Sequence, residues 1–472
     1  MMNHTRISLT LAGLVSASVL LAGCAPPRSV VLLTVDTLRA DRIGLYGGGS
    51  LPTPNIDALG HEGIVAEQCV APFGRTTQSV GTILTGLHPL RHGADGLGMS
   101  LSSVVETLPE TLRGHGYETA AFTSNLMLRP GLGFDQGFGI YVNPEQRWFG
   151  NSAGAISNEG LAWLRSYVEQ PNSGPFFLWL HYLDPHWPYR PDPELARLAD
   201  PEWSGAFWLQ ESGPGPKEHI RFNAPAHLSE KEIEHARRLY DAEVAGTDRA
   251  IGEFLAGLDE LGISDSVLVV FTSDHGESLG EHSYWFGHGE YLYDETLVVP
   301  LLLRAPGLLQ AGQRLPGLTR LEDIAPTVLD LLGIETSVDV DGRSFADAIR
   351  DGGKRVPEDV AELQLTDHIL VREPDPRRPL PGREGRWRAV RENRWKLIQI
   401  PLGSGENAEE LYDLANDPNE TTNLLDRRPE EAERLRLRLT RLAESVSTGT
   451  IEQDDPSLEE HMDTLRGLGY AQ

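Results

Sequence analysis

Cysteine is scarce in this sequence: of 472 residues, only Cys24 and Cys69 are cysteines. Cys24 ends an N-terminal apolar run, so Cys69 is the only cysteine in the body of the chain. An internal disulfide and the paired-cysteine zinc motifs are therefore excluded. We expect Cys69 to be a small, buried, apolar side chain.

The chain also lacks an excess of positive charge, since 41 Lys and Arg face 69 Asp and Glu, for a net charge of -28. A general nucleic-acid binder needs a basic surface, so we expect no nucleic-acid partner. The negative electrostatic field of the protein would also repel long polyanionic substrates, whereas small-molecule, lipid or glycan esters are compatible with this field. The hydrophobic content of 40% and charged content of 23% are typical of a folded protein.

The N-terminus carries Arg6, an apolar run over residues 7–23, and the string LAGC. This pattern is typical of an export signal, and the run is short for a membrane span. LAGC resembles a bacterial lipobox, which implies cleavage before Cys24 and acylation of that cysteine; an ordinary cleaved signal and a permanent anchor are the alternatives. Ala25 resembles lipoproteins that are not held at the inner membrane. We therefore expect an exported, membrane-anchored lipoprotein of the cell envelope, at the outer membrane or facing the periplasm.

From Val30 onward, short apolar runs alternate with helix-like stretches. The runs VVLLTVD, TAAFTSN, FFLWLHYLD, VLVVFTSD and VPLLLRAP have the composition of buried strands. This alternation predicts an α/β fold, in which helices sandwich a large, mostly parallel sheet.

Two Pro-rich stretches interrupt this pattern. Residues 200–227 predict an irregular insertion that lines a substrate entrance or forms a plain surface loop. After the second stretch, WRAVRENRWKLIQI alternates like a hairpin, and a charged helix runs from Pro429 to about Ser445, which predicts a small C-terminal α+β subdomain. The predicted units are a signal peptide (1–23), a catalytic domain (24–371), a Pro-rich connection (372–386), the subdomain (387–446) and a tail (447–472).

Polar side chains follow four of the predicted strands, at Asp36, Asn125, Asp184 and Asp274. Ligands of open α/β sheets bind beyond the carboxyl ends of the strands. A carboxylate such as Asp36 is costly to bury unless it is paired or holds a cation. With Asp274 and the adjacent His275, it offers oxygen and nitrogen ligands that suit a divalent ion. Each residue alone could instead be a helix cap or a satisfied core group.

Hydroxyl groups cluster ahead of an apolar helical pattern, at Thr76, Thr77 and Ser79. At a helix N-terminus, backbone N–H groups and the helix dipole stabilise an anion. A metal beside such a hydroxyl lowers its pKa and makes an alkoxide nucleophile. Simple N-capping is the structural alternative.

Several motifs follow one another along the chain: DTLRADRIGLYG, TPNIDALG, a hydroxyl-bearing segment that leads to TG and HPLRHG, DPHWPY, SDHGESLGEH, RWKLI and ELYDLANDPNETTNLL. Their order is similar to that of sulfatases in the alkaline phosphatase superfamily. The resemblance extends from Val30 to Leu425. It implies the fold of that superfamily with a small C-terminal sheet, and a sulfuric or phosphoric ester hydrolase.

The segment that bears the nucleophile departs from the family pattern. Sulfatases typically carry CxPSR or SxPSR, whose Cys or Ser becomes formylglycine. Aligned on Thr85 and Gly86, that position is Thr76, and the Pro and Arg of the motif are missing. Threonine cannot give the aldehyde, so no formylglycine is expected and Thr76 itself is the implied nucleophile. A threonine phosphate ester is a more tractable intermediate than a threonine sulfate, which tilts the chemistry toward phosphorus.

The resemblance implies further roles. His186 matches the histidine that contacts the ester oxygens or protonates the leaving group, and His288 stands where many sulfatases have a lysine with a similar role. Asn125 lies near the position of another family lysine and, with Gln78, is predicted to bind substrate. Thr37 replaces a second metal-binding Asp, which implies a reduced set of carboxylates.

We therefore predict one divalent ion, Ca, Mg, Mn or Zn, held by Asp36, Asp274, His275 and Thr76. A second ion is possible from sequence, and its candidate ligands are His181, Asp184, His186, His282 and His288.

Three functions follow in order of preference. The first is a metal-dependent hydrolase that cleaves a sulfate or phosphate ester with Thr76. The second is a Thr-dependent phosphodiesterase or phosphotransferase that acts on lipids or surface glycans. The third is a catalytically inactive lipoprotein that binds an anion.

Overall fold

The computed structural model describes residues 29–96, 99–144, 152–205, 224–225, 228–335, 337–353, 364–370, 385–402 and 407–447. The predicted signal peptide, Cys24, most of the 200–227 insertion, most of the Pro-rich connection and nearly all of the tail lie outside these ranges. The assignments made for them from sequence stay predictions.

Within the described ranges, fifteen β-strands form three sheets. Their bounds are β1 Ser29–Val35, β2 Ile64–Val70, β3 Glu118–Thr123, β4 Ile140–Val142, β5 Phe176–Tyr182, β6 Val267–Ser273, β7 Ser278–Leu279, β8 Trp285–Gly287, β9 Val298–Val299, β10 Leu301–Arg304, β11 Gln313–Arg320, β12 Gln364–Leu370, β13 Gly385–Arg391, β14 Trp395–Pro401 and β15 Asn407–Asp413.

The nine-stranded sheet has the order β11-β2-β10-β6-β1-β5-β3-β4, with β9 paired to β2. The five apolar runs singled out in the sequence are β1, β3, β5, β6 and β10. Most neighbouring strands are parallel, but β10 runs antiparallel to both β6 and β2. The predicted α/β fold with a mostly parallel sheet is confirmed.

Helices cover both faces of this sheet. Their bounds are α1 Pro54–His61, α2 Thr76–Thr85, α3 Pro89–His92, α4 Leu108–Gly114, α5 Ala153–Val168, α6 Pro193–Ala199, α7 Glu230–Glu260, α8 Asp294–Leu297, α9 Ile324–Leu331, α10 Ala346–Arg350 and α11 Pro429–Ser447. Alternate side chains of β1 enter two separate cores, because successive side chains of a strand point to opposite faces. Val30 and Leu32 pack with α2, α4 and α9, whereas Val31 and Leu33 pack with α1, α5 and α7.

The C-terminal region forms a separate antiparallel sheet, β12-β13-β14-β15, against which α11 packs. The predicted hairpin is β13 and β14, and the predicted charged helix is α11. Strand β12 precedes the Pro-rich stretch and pairs with β13, so this small sheet also draws on residues before 372. The small C-terminal subdomain is thus confirmed, and its exact bounds stay a prediction.

Cys69 lies in β2, where it is fully buried and forms no disulfide. Burial raises the pKa of its thiol, as expected for a side chain that acts as a small apolar core residue. Among the helices that the structure describes, none combines the length and the apolar character needed to cross a membrane.

Candidate functional site

The site lies at the carboxyl ends of three adjacent parallel strands. Strand β1 is central and pairs in parallel with β5 and β6. Asp36 directly follows β1, Asp274 directly follows β6, and His181 is the penultimate residue of β5. Because the carboxyl ends of parallel strands meet at one edge of a sheet, these side chains converge there.

The converging groups leave buried ligand atoms without hydrogen-bond partners. Ligand atoms of Asp36, His181 and Asp274 all lie within 4.8 Å of one another. His275 Nε2 lies 3.5 Å from Asp274 Oδ2 and 3.8 Å from Asp36 Oδ1. Four of these atoms are buried and have no hydrogen-bond partner: Asp36 Oδ1, His181 Nε2, Asp274 Oδ2 and His275 Nε2. Unpartnered buried polar atoms are rare, and four that converge in this way fit a bound divalent cation.

The two carboxylates of the cluster differ in their affinity for protons. Burial opposes ionisation of Asp36, but the nearby imidazoles of His186 and His181 outweigh it and lower the pKa of Asp36. Burial, together with the Asp36 carboxylate, raises the pKa of Asp274. The protein therefore places two like charges close together in its interior, and a cation between them would relieve their repulsion.

Both imidazoles of the cluster are held in place through Nδ1. His181 Nδ1 lies 2.8 Å from Thr34 Oγ1, which also accepts a hydrogen bond from Trp179 Nε1. His275 Nδ1 lies 3.0 Å from the Gly276 carbonyl oxygen. Such outer partners fix ring orientation in metal sites. From sequence, His181 was only a candidate for a second ion, whereas the structure places it beside Asp36 and Asp274.

Thr76 is the first residue of α2, and its side chain faces this cluster. Thr76 Oγ1 donates a hydrogen bond to Asp36 Oδ2 at 3.5 Å. Asn125 Nδ2 donates to the same Asp36 oxygen and lies 3.4 Å from Thr76 Oγ1. The N-cap residue is Arg75, and no side-chain hydrogen bond caps the helix. The alternative in which Thr76 is a plain N-cap is therefore not observed.

Two further predicted residues adjoin the cluster. The ring centroid of His288 lies 4.6 Å from that of His275 and 5.0 Å from that of His186. His288 Nδ1 lies 3.2 Å from Oε1 of Glu277, which is fully buried. His186 Nδ1 bonds to the Trp187 carbonyl oxygen. Glu277 was not singled out from sequence, although it belongs to the SDHGES motif.

Thr37, which directly follows Asp36, contributes to the site through its backbone. It has a left-handed φ of 57°, a rare conformation for a β-branched residue. Its N–H donates to Asp274 Oδ1 at 3.2 Å, and its carbonyl accepts from the Tyr240 hydroxyl. Backbone strain of this kind clusters at functional sites.

Other residues singled out from sequence have different surroundings. Gln78 is buried within α2, and its Oε1 accepts a hydrogen bond from Thr77 Oγ1 at 2.7 Å. Asp184 Oδ2 accepts the backbone N–H groups of Ser152 and Ala153, where α5 begins. These contacts give both side chains a structural role, and substrate binding by Gln78 stays a prediction.

His282 lies at the junction with the C-terminal sheet. Its Nδ1 lies 3.0 Å from Glu295 Oε1, and its Nε2 lies 3.0 Å from the Glu420 carbonyl oxygen. Burial opposes the charged imidazolium, but the hydrogen bond and charge of Glu295 raise the pKa of His282 to about 9. His282 therefore forms an ion pair with Glu295. The sequence-based prediction that it is a candidate ligand of a second metal ion is not supported by these contacts.

The family model described as Sulfatase matches residues 28–334. The N-acetylglucosamine-6-O-sulfatase of Bacteroides thetaiotaomicron is 24% identical over 494 aligned residues, which cover 86% of each chain. Among solved structures, BT4656 in complex with its substrate D-glucosamine-2-N,6-O-disulfate has a TM-score of 0.74 at 20% identity, covering 91% of this chain and 100% of that one. The phosphonate monoester hydrolase of Agrobacterium radiobacter has a TM-score of 0.68 at 21% identity, covering 90% and 96%.

Proposed function

This chain belongs to the sulfatase family of ester hydrolases, and we propose that it cleaves a sulfate or phosphate ester in a metal-dependent reaction with Thr76 as the nucleophile. One observation carries the proposal: the Thr76 hydroxyl lies 3.5 Å from Asp36 Oδ2, within a buried cluster whose ligand atoms lack partners. A divalent ion bound by Asp36, Asp274, His275 and His181 would polarise the ester and lower the pKa of the Thr76 hydroxyl.

In the proposed reaction, Thr76 Oγ1 gives its proton to Asp36 Oδ2, the acceptor of its hydrogen bond, and forms a bond to the phosphorus or sulfur atom while the bond to the leaving oxygen breaks. The hydrogen bond to Asp36 orients the hydroxyl before the attack. The leaving oxygen takes a proton from His186 or His288, which flank the cluster. Water then attacks the phosphorus or sulfur atom and gives a proton to the same imidazole, while the bond to Thr76 Oγ1 breaks and Asp36 returns the proton to Thr76. Asn125, beside Thr76 Oγ1, is suited to donate to an ester oxygen.

We expect the protein to hydrolyse a phosphate ester faster than a sulfate ester. Formylglycine hydrate expels sulfate from a geminal diol, and a threonine sulfate lacks that exit. Two relatives bear on the substrate: one is an N-acetylglucosamine-6-O-sulfatase by name, and a structural neighbour is a phosphonate monoester hydrolase. We propose that the natural substrate is a small-molecule, glycan or lipid ester. We also propose that the protein is exported and anchored to the membrane by a lipid on Cys24.

A paired assay tests this function. Purified protein without residues 1–24 is stripped with a chelator, reloaded with Ca, Mg, Mn or Zn, and given an aryl sulfate, a phosphate monoester and a phosphodiester. We expect no turnover in the stripped protein, turnover after reloading, and a phosphoester preference of at least about tenfold, equal to about 1.4 kcal/mol in activation free energy. Full turnover in the stripped protein would contradict the metal requirement.

His288 is proposed to assist departure of the leaving group. Replacing it with alanine should lower kcat by about 10²-fold for an alkyl ester and much less for a 4-nitrophenyl ester, whose leaving oxygen needs no proton. The control is His115→Ala, because the His115 side chain is exposed and its described hydrogen bond is to the Thr111 carbonyl of the preceding helix α4. An equal loss with both esters would argue against a proton-donor role.

A further inference from the structure

Arg75 links the start of α2 to the loop that carries His288. It is the N-cap residue of α2, directly before Thr76, and its side chain is half-buried. Its guanidinium donates from Nε at 3.2 Å and from Nη2 at 2.9 Å to the carbonyl oxygen of Gly289. Gly289 directly follows His288. One side chain therefore connects the residue before the proposed nucleophile to the residue after the proposed proton donor.

The two segments also touch through their backbones. Gly289 has a φ of +74°, and a Cβ atom there would lie 2.5 Å from Arg75 Nε and 3.0 Å from the Gly74 carbonyl oxygen. A Cβ atom on Gly74 would lie 3.3 Å from the Gly289 nitrogen. Glycine is thus required at 289 both by the conformation and by the close approach. The start of α2 and the His288 loop therefore approach each other closely at Arg75 and Gly289, and the approach leaves no space for a side chain at position 289.

We propose that Arg75 is a positioning residue, which holds the His288 loop against the start of α2 and so sets the spacing between the Thr76 hydroxyl and the imidazole of His288. This inference rests on the proposed function. Attack and proton donation act on opposite bonds of one reacting atom, so both groups must keep a fixed separation. Because Arg75 bonds to the backbone carbonyl of Gly289, it fixes the path of the loop directly after His288.

Arg75→Met keeps a long apolar stem and removes both hydrogen bonds to Gly289. A misplacement of about 1 Å can cost about 10²-fold in rate. We therefore expect kcat to fall by about 10- to 100-fold with little change in KM, and the fall to be larger for an alkyl ester than for a 4-nitrophenyl ester. Arg75→Lys, which can still reach the carbonyl with one donor, should recover part of kcat. The matched control is Arg350→Met, because Arg350 Nη2 donates to the Asp330 carbonyl at 2.9 Å.

A double-mutant cycle with His288→Ala tests whether Arg75 acts through His288, because the effects of substitutions at two coupled residues are not additive. In the His288→Ala background, Arg75→Met should cost less than about threefold. A full, additive loss, or an equal loss with both esters, would overturn the inference. If Arg75→Met unfolds at a lower temperature than the wild type, the same cycle is run with Arg75→Lys. Turnover that survives Thr76→Ala would instead refute the proposed function, so the two failures are distinguishable.

Discussion

Thr76→Ala is expected to lower kcat/KM by at least about 10³-fold, because loss of a nucleophile removes the covalent route and leaves only binding and electrostatic stabilisation. The hydroxyl lies in a buried cluster and bonds to Asp36, so the substitution removes an interaction without exposing the core. Steady-state kinetics on the preferred ester, with the wild type and the variant loaded with the same metal, measure the loss. Wild-type turnover by the alanine variant would rule out Thr76 as the nucleophile.

Two variants act as controls for this result. Thr77→Ala changes the adjacent hydroxyl, which bonds to Gln78 Oε1 and the Gly96 carbonyl, and should alter kcat/KM by less than about threefold. Thr76→Ser keeps a hydroxyl at the same place and should keep at least a tenth of the activity. Mass spectrometry of the intact protein should find Thr76 unmodified, and a trapped threonine phosphate would identify the covalent intermediate directly.

The strands that were predictable from sequence are those buried on both faces. Strand β1 is a continuous apolar run because it lies at the centre of the sheet. Strands β2 and β11 were not singled out. In β2, Glu67 is exposed and interrupts the apolar pattern; β11 is an edge strand and contains Pro316 and Gly317. Edge strands tolerate proline, but a proline in a sequence argues against a strand, so an edge strand such as β11 is difficult to recognise from sequence.

The site was predictable where a residue directly follows a buried strand. Asp36 and Asp274 lie there, and parallel pairing with β1 between β5 and β6 is sufficient to bring such ends together. His181 is inside β5, where its orientation depends on sheet register and on its contact with Thr34. Glu277 and His282 both belong to the SDHGESLGEH motif, yet only Glu277 contacts the site. Strand β7 and Gly280, whose φ is +124°, separate them, and this backbone path cannot be derived from spacing along the chain.

Asp274→Asn is expected to abolish the stabilisation that the metal gives to the fold. At a metal concentration 100-fold above its Kd, the wild type should gain about 2.7 kcal/mol in free energy of unfolding, because the ion binds the folded state alone. Asparagine keeps an oxygen for the N–H groups of Thr37 and His275, which both donate to Asp274 Oδ1. It replaces only Oδ2, the atom without a hydrogen-bond partner, so the variant should fold and gain no stability from metal.

The stability of Asp274→Asn in the absence of metal distinguishes a lost metal ligand from a simple loss of packing. Burial and the Asp36 carboxylate raise the pKa of Asp274, so the ionised side chain destabilises the metal-free fold. Metal-free Asp274→Asn should therefore be at least as stable toward urea at neutral pH as the metal-free wild type, while its kcat/KM falls by at least about 10³-fold. Asp248→Asn, at a buried carboxylate that bonds to the start of α1, should keep the metal-dependent gain. If Asp274→Asn keeps the full gain and Asp248→Asn loses it, the metal does not bind at the ends of β1 and β6.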